Sequence, residues 1–196
     1  MEQPYKPLAS RKAPKLLGYQ QPSTFASVTA GSPAIAVMTD LRQVTAATIG
    51  AETSLDNATR TMMARNVRLL LVVAADQSVV GLITARDTQG ERPMKWLHER
   101  GGTHADLRVS DLMIRTEDID VLDIKDVLHA DVGHIVASLK AWCRQHALVA
   151  EQDVASGITR VRGIFSATQI GRQLGVPVQP FDVAVTFADI ARALAG

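Results

Sequence analysis

"VVGLITARD", residues 79–87, and "VRGIFSATQ", residues 161–169, are the stretches whose reading decides the fold. Each is an apolar, β-like run broken by one glycine, Gly81 or Gly163, and each ends in a hydroxyl residue, Thr84 or Ser166. Three residues after the hydroxyl the copies part: the first has Asp87 and the second Gln169. In front of each lies a further strand-like run, "VRLLLVVAA" (67–75) and "ALVAEQ" (147–152), joined by the turn "DQS" in one copy and the longer "QDVASGIT" in the other. A continuous apolar run of the first kind is expected of a strand covered on both faces.

Working outward, "TSLDNATRTMMARN" (53–66) has Leu55, Ala58, Met62 and Met63 at helical spacing, with Thr53 or Ser54 available as the cap. "DVGHIVASLKAWCRQH" (131–146) is its counterpart, and "VTAATI" (44–49) and "IDVLDI" (119–124) open the two copies as short strands. Matching Leu71 to Val149 gives an offset of 78, whereas the glycines are 82 apart, so the hairpin loop absorbs four residues. "ATQIGRQLG" (167–175) closes the second copy as a helix. "ARDTQGERPMKWLHERGG" (85–102) reads as a polar loop leading into a short helix, with Pro93 in its first turn. A strand–helix–strand–strand–helix unit cannot cover its own sheet, so two copies are expected to pack together.

This repeated pattern resembles tandem CBS domains, the module named after cystathionine β-synthase, over about residues 40–175. The motif that carries the resemblance is Gly, two apolar residues, Thr or Ser, and Asp three further on, met in full by Gly81, Leu82, Ile83, Thr84 and Asp87. It implies an α/β (α+β) fold of two β-α-β-β-α repeats packed as one pseudo-symmetric pair. The expected divisions are an extended N-terminal arm (1–36), a first repeat (37–103), a second repeat (104–176) and a C-terminal tail with an amphipathic helix (177–196).

The resemblance also implies an adenosine-containing ligand, of the AMP, ATP or S-adenosylmethionine class, in the cleft between repeats. Thr84 and Asp87 would hold the ribose, because an ionised carboxylate offers two charge-assisted acceptors to two vicinal hydroxyl donors. Leu70 and Val72 are the candidates to flank the base, and Arg86, inside the motif, is the candidate for a phosphate; Arg65, Arg68, His146 and Arg162 lie near the same elements. Thr84 and Asp87 are equally the residue types that cap a helix, and the sequence leaves both roles open. In the second copy Ser166 keeps the hydroxyl but Gln169 has one acceptor and no charge. Losing a charge-assisted bond costs on the order of 1.5–3 kcal/mol, so this site is expected to be weakened or empty.

Composition narrows the classes further. With 21 basic and 20 acidic side chains there is no field to attract nucleic acid or an anionic membrane. No apolar run is long enough for a span and no secretory leader is seen, so a soluble, cytoplasmic protein is expected. Cys143, the single cysteine, lies near Leu139 and Trp142 and is expected to be a buried thiol. Residues 1–33 hold five of the eight prolines and four dispersed basic residues, which suits a solvated tail.

"ATQIGRQLGV" has the rhythm of a DNA-reading helix-turn-helix, but Pro177 and Pro180 stand where the recognition helix would begin. Phe187, Ile190, Ala191 and Leu194 would instead form an apolar face of the tail helix. The histidines lack metal-ligand spacing; His146 is expected to end a helix. The acidic pairs Asp118/Asp120 and Asp123/Asp126 have no base or nucleophile beside them, so no catalysis and no catalytic cofactor is expected. The resulting expectation is a regulatory protein, a homodimer by resemblance, acting on an unidentified protein partner; the alternative is a structural or oligomerisation module with vestigial nucleotide sites.

Overall fold

The computed structural model describes residues 28–180 together with Lys12. In chain order, a 3-10 turn at Ala34–Val37 leads into β1 (Thr39–Asp40), β2 (Thr48–Gly50), α1 (Leu55–Ala64), β3 (Leu69–Val73), β4 (Val79–Thr84), α2 (Ala85–Gln89) and α3 (Glu91–Arg100). There follow α4 (Val109–Leu112), β5 (Ile114–Arg115), β6 (Val121–Asp123), α5 (Ile124–Leu128), α6 (Val132–Ala141), β7 (His146–Gln152), β8 (Thr159–Ser166) and α7 (Ala167–Leu174). The tail helix expected over 177–196 lies outside the described residues beyond Phe181's predecessor, Pro180, and most of the expected arm likewise lies outside them. Among the described residues no helix is long and apolar enough to cross a membrane.

Two four-stranded sheets result, ordered β2-β3-β4-β5 and β1-β8-β7-β6. In each, the short opening strand runs parallel to the next (β2 with β3, β6 with β7), and the hairpin and the fourth strand are antiparallel. Ser54 is the cap of α1, its hydroxyl accepting from the Asn57 N–H at 3.4 Å. The stretch after Thr84, expected as a polar loop, is instead helical from Ala85, because Asp87 closes the turn back onto Thr84. A break at Gly90 separates α2 from α3; a Cβ there would lie 2.6 Å from the Arg86 carbonyl oxygen.

The register corrects the repeat offset. Val72 pairs with Gly81 and Val149 with Gly163, so the hairpin's first strands are related by 77 residues and Val72, not Leu71, is the counterpart of Val149. Ser54 and Asp131, which cap α1 and α6, obey the same 77-residue offset. So do Asn66 and Cys143, which leave those helices with φ of 52° and 50°.

The fourth strand of each sheet comes from outside the repeat it completes. β5 lies on β4 with Arg115 opposite Gly81, and β1 lies on β8 with Asp40 opposite Gly163. The chain ahead of these strands docks on the helix N-terminus of the same unit: the Val109 N–H reaches the Thr53 carbonyl at 2.9 Å, and the Ala34 N–H reaches that of Ala130 at 2.8 Å. Arg162, ion-paired to Asp40 and to Glu151 (3.1 Å), fastens β1 to the second sheet.

These crossings explain the glycines. A Cβ on Gly81 would stand 2.5 Å from the Ile114 carbonyl oxygen; on Gly163 it would stand 2.4 Å from the Met38 sulfur. Met38 and Met113 occupy the same place in the two crossings, each just before its strand. Alternation along the strands then divides the core. Leu70, Val72 and Ile83 pack against Leu55, Ala58 and Met62 of α1, as Val149 and Phe165 pack against Ile135 and Leu139 of α6. Leu69, Leu71 and Leu82 face the other way and meet Leu148 of the second sheet, forming the apolar seam between units.

The two glycines predict unequal costs. Gly81→Ala must displace backbone and open the β4–β5 pairing, whereas Gly163→Ala meets only a methionine side chain. Chemical denaturation is expected to show Gly163→Ala losing about 1–3 kcal/mol and Gly81→Ala losing more. Equal losses would contradict the crossing geometry.

Candidate functional site

The seam between the sheets opens at both ends into clefts related by the repeat symmetry. The first, of about 620 Å³, is lined by Thr84, Arg86, Asp87, Glu91 and Arg92 from the first unit and by Cys143, Arg144 and His146 from the second. The other, of about 400 Å³, brings Ser166, Gln169 and Arg172 to face Arg68, Leu69 and Met62. Each cleft therefore takes the motif from one repeat and the helix-to-strand corner of the other.

Thr84, Asp87 and Arg86 all line the first cleft. The hydrogen bonds show how Asp87 is held. Its Oδ2 accepts from the Thr84 N–H at 2.9 Å and from the Thr84 hydroxyl at 2.6 Å, and its Oδ1 accepts from Arg92 Nη1. Only 6% of the residue is exposed. Of the two roles left open by the sequence, capping is realised through Asp87, whose carboxylate accepts from the N–H of the N-cap residue Thr84. The other carboxylate oxygen is taken by Arg92, and both residues line the first cleft.

Leu70 and Val72 are not in either cleft. Both are fully buried on the helix-covered face, beside Ile83. Successive strand residues point to opposite faces, so a one-residue shift in the reading exchanges core for cleft; Leu69 is the residue that reaches a cleft. Among the arginines, Arg68 lines the second cleft, while Arg162 is committed to Asp40 and Glu151 and Arg65 Nη1 donates to the Ala46 carbonyl at 3.4 Å. Ser166 occupies the N-cap position of α7 without a side-chain capping bond and lines the second cleft; Gln169 there accepts from the Thr39 hydroxyl at 3.2 Å.

Cys143 is exposed rather than buried. It has passed the end of α6 into a left-handed turn, which directs the chain out of the apolar face that Leu139 still occupies. His146 does not end a helix; it is the first residue of β7, paired with Ser166, and by the 77-residue relation it stands where the first unit has Leu69. It lines both clefts. Burial, foremost, and then the nearby Arg68 guanidinium push its imidazole down to about 4, against a smaller pull upward from Asp87. A neutral ring is therefore the wall common to both clefts.

Sequence reading missed Arg144 and Arg172, and it left Glu91, Arg92 and Lys95 facing water rather than lining the cleft mouth; Glu91 and Arg92 line the first cleft. Arg144, paired with Asp120 at 2.9 Å, enters the first cleft only because the second unit folds over it. Arg92 stands five residues beyond Asp87, past the break at Gly90, in the first turn of α3. Among the described residues no group of acidic, histidine or cysteine side chains is placed to hold a metal ion.

No protein-family model and no curated protein matches the chain. Solved structures do resemble it. An uncharacterized conserved protein from Pyrococcus horikoshii is 22% identical, with a TM-score of 0.51 over 73% of this chain and 92% of its own. A CBS-domain-containing protein from Agrobacterium tumefaciens is 21% identical, with a TM-score of 0.50 over 68% of this chain and 88% of its own. CBSX2, solved in complex with AMP, is 19% identical with a TM-score of 0.49, over 72% and 95% of the two chains. At such identities the likeness speaks to the fold.

The histidine makes a prediction about pH. In the folded chain the imidazole resists protonation to about 4, whereas unfolded it titrates near its ordinary value of 6.5. As pH falls through that window the unfolded state takes up the proton first, so stability is full above pH 6.5 and declines toward pH 4. The loss is on the order of 3 kcal/mol at its limit. His146→Leu, which copies the first unit, is expected to flatten that part of the stability–pH curve; an unchanged slope would contradict the placement.

Proposed function

We propose that this chain, whose fold is that of a tandem CBS pair, is a non-catalytic regulatory module that binds an adenosine-containing ligand in its first cleft. The observation that carries this reading is the meeting of Thr84 and Asp87 from one repeat with Arg144 and His146 from the other across a single cavity. A ligand there touches both units, so its affinity depends on how they are oriented. It favours the orientation it binds best, and that shift is the signal offered to a partner.

The ligand would use Asp87 Oδ1 for a ribose diol, while Oδ2 goes on holding Thr84. Arg92 is in the way, and a diol takes its place only by moving it. The arginines of the cleft, Arg86 and Arg144 among them, suit a phosphate. AMP, ATP and S-adenosylmethionine all supply the diol; the phosphate-bearing pair use the cations as well. The proposal extends to a homodimer formed by two copies of the chain in the cytoplasm, checked by molecular mass in solution.

One observation favours a second reading, a structural module with vestigial sites. Asp87 and Gln169 both already have partners within the chain, Arg92 and Thr39 among them. Titration separates the two. Micromolar binding of AMP, ADP, ATP or S-adenosylmethionine, weakened at least about tenfold in Asp87→Ala, supports the regulatory reading. No heat and no thermal shift with any of the four supports the scaffold.

Two further outcomes are expected of the regulatory reading. Arg92→Gln frees Oδ1 and should tighten binding of a diol-bearing ligand, by up to about fivefold given the modest strength of a half-exposed ion pair. Cys143, exposed in the same cleft, should react more slowly with a thiol reagent when ligand is present. Reaction at the same rate with and without saturating ligand would place the ligand elsewhere.

A further inference from the structure

At the centre of the seam the repeats differ. The first unit sets Leu69 there, and the second sets the His146 imidazole, on the wall of both cavities. The ribose and phosphate contacts proposed for the first cleft leave this ring without a task of its own.

Its surroundings decide its charge. In the first cleft Arg86, Arg92 and Arg144 stand against Asp87 and Glu91, and the Cys143 thiol is the remaining titratable group there. Arg68 and Arg172 line the other cleft, and Asp118 and Asp120 border the ring along the seam. Arg92 is paired with Asp87, and Arg144 with Asp120 at 2.9 Å, so much of this charge cancels. What remains is burial, then the Arg68 guanidinium, which together hold the imidazole neutral down to about 4 against the pull of Asp87.

An anion entering the first cleft tips that balance. One negative charge about 8 Å away, at an effective dielectric of about 20, raises an imidazole by about 1.5 pH units. A phosphate dianion supplies about twice that, which matches the whole depression from 6.5 to about 4. The ligand also excludes water from the ring, which acts the other way, but the ring is already largely buried and has little hydration left to lose. Once protonated, both ring nitrogens are donors, and the bond to a phosphate is charge-assisted. Leucine at this place, as in the first unit, has no such response.

We propose that His146 is a specificity-determining residue of the first cleft: a phosphate-bearing ligand is taken up together with a proton on the imidazole, whereas an uncharged nucleoside is not. The inference rests on the binding proposed above for that cleft and adds its selectivity. Nucleotide is thereby favoured over nucleoside increasingly as pH falls from 7.5 toward 5.5.

The full chain, His146→Leu and His146→Gln are titrated calorimetrically with AMP and with adenosine at pH 7.5 and 5.5. At pH 6.0 the titrations are repeated in two buffers of different ionisation enthalpy, which reads the protons taken up per ligand bound. AMP itself titrates near pH 6, but identically for all three proteins, so the difference between them belongs to the histidine. At pH 6.0 the unaltered chain is expected to take up about half a proton more per AMP than either variant, and no more per adenosine. Its advantage over the variants in AMP affinity should grow about fivefold between pH 7.5 and 5.5. The His146 imidazole resonance, identified by its loss in His146→Gln, should titrate above pH 5 only with AMP bound.

Equal proton uptake in all three proteins, or an imidazole resonance that AMP leaves unmoved, overturns the inference while AMP binding stands. Adenosine drawing in as many protons as AMP overturns it too, because ligand charge would not be the cause. Failure of AMP to bind at either pH removes the binding reading and this inference with it.

Discussion

Each repeat of this protein is completed by a strand that does not belong to it. β5 and β1 pair with β4 and β8 directly over a glycine: the Ile114 carbonyl of the crossing chain lies against Gly81, and the Met38 side chain lies against Gly163. The rest of the arrangement follows from that approach. The crossing strands bring with them the turns that dock on the N-termini of α1 and α6, so helix, sheet and connection are locked in one piece. With the helix-facing residues covered, the opposite faces are left apolar and meet through Leu69, Leu71, Leu82 and Leu148. A buried aliphatic side chain contributes about 1.5–3 kcal/mol, and the seam buries four leucines in a cluster distinct from the two helix-covered cores.

The clefts are the ends of the same seam. Their walls are set by where the strands stop: the motif residues lie just after the hairpin, and the facing residues just after a helix has turned through a left-handed corner at Asn66 or Cys143. His146 interrupts the symmetry at the centre, standing in the place of Leu69 and bordering both clefts. A polar ring in that position is costly to charge, and it leaves the field of each cleft to be decided by the arginines and by Asp87.

Much of this was legible in the sequence because the repeat is expressed in short-range patterns. The hairpins, the two long helices and the motif helix α7 could be placed from apolar periodicity, and Gly81 and Gly163 aligned the copies. Three things were not legible. The crossing strands are two residues long and carry no periodicity, so the kinship of Met38 with Met113 emerges only when both are seen lying over glycines. The face of β3 could not be read from five consecutive apolar residues, and Leu70 and Val72 were assigned to the wrong side. Finally, a carboxylate's partners are a matter of space: Asp87 could be recognised as a cap or a ligand residue, but its pairing with Arg92 depends on how α3 leaves Gly90.

The central claim is that ligand enters between the repeats and competes with Arg92 for Asp87. A crystal structure of the full chain grown with AMP tests it most directly. The account predicts AMP in the first cleft, its ribose hydroxyls on Asp87 Oδ1 and the Arg92 guanidinium displaced, with the two sheets reoriented about the leucine seam. AMP bound away from both clefts, or seated in the first with Arg92 still on Asp87, would contradict it.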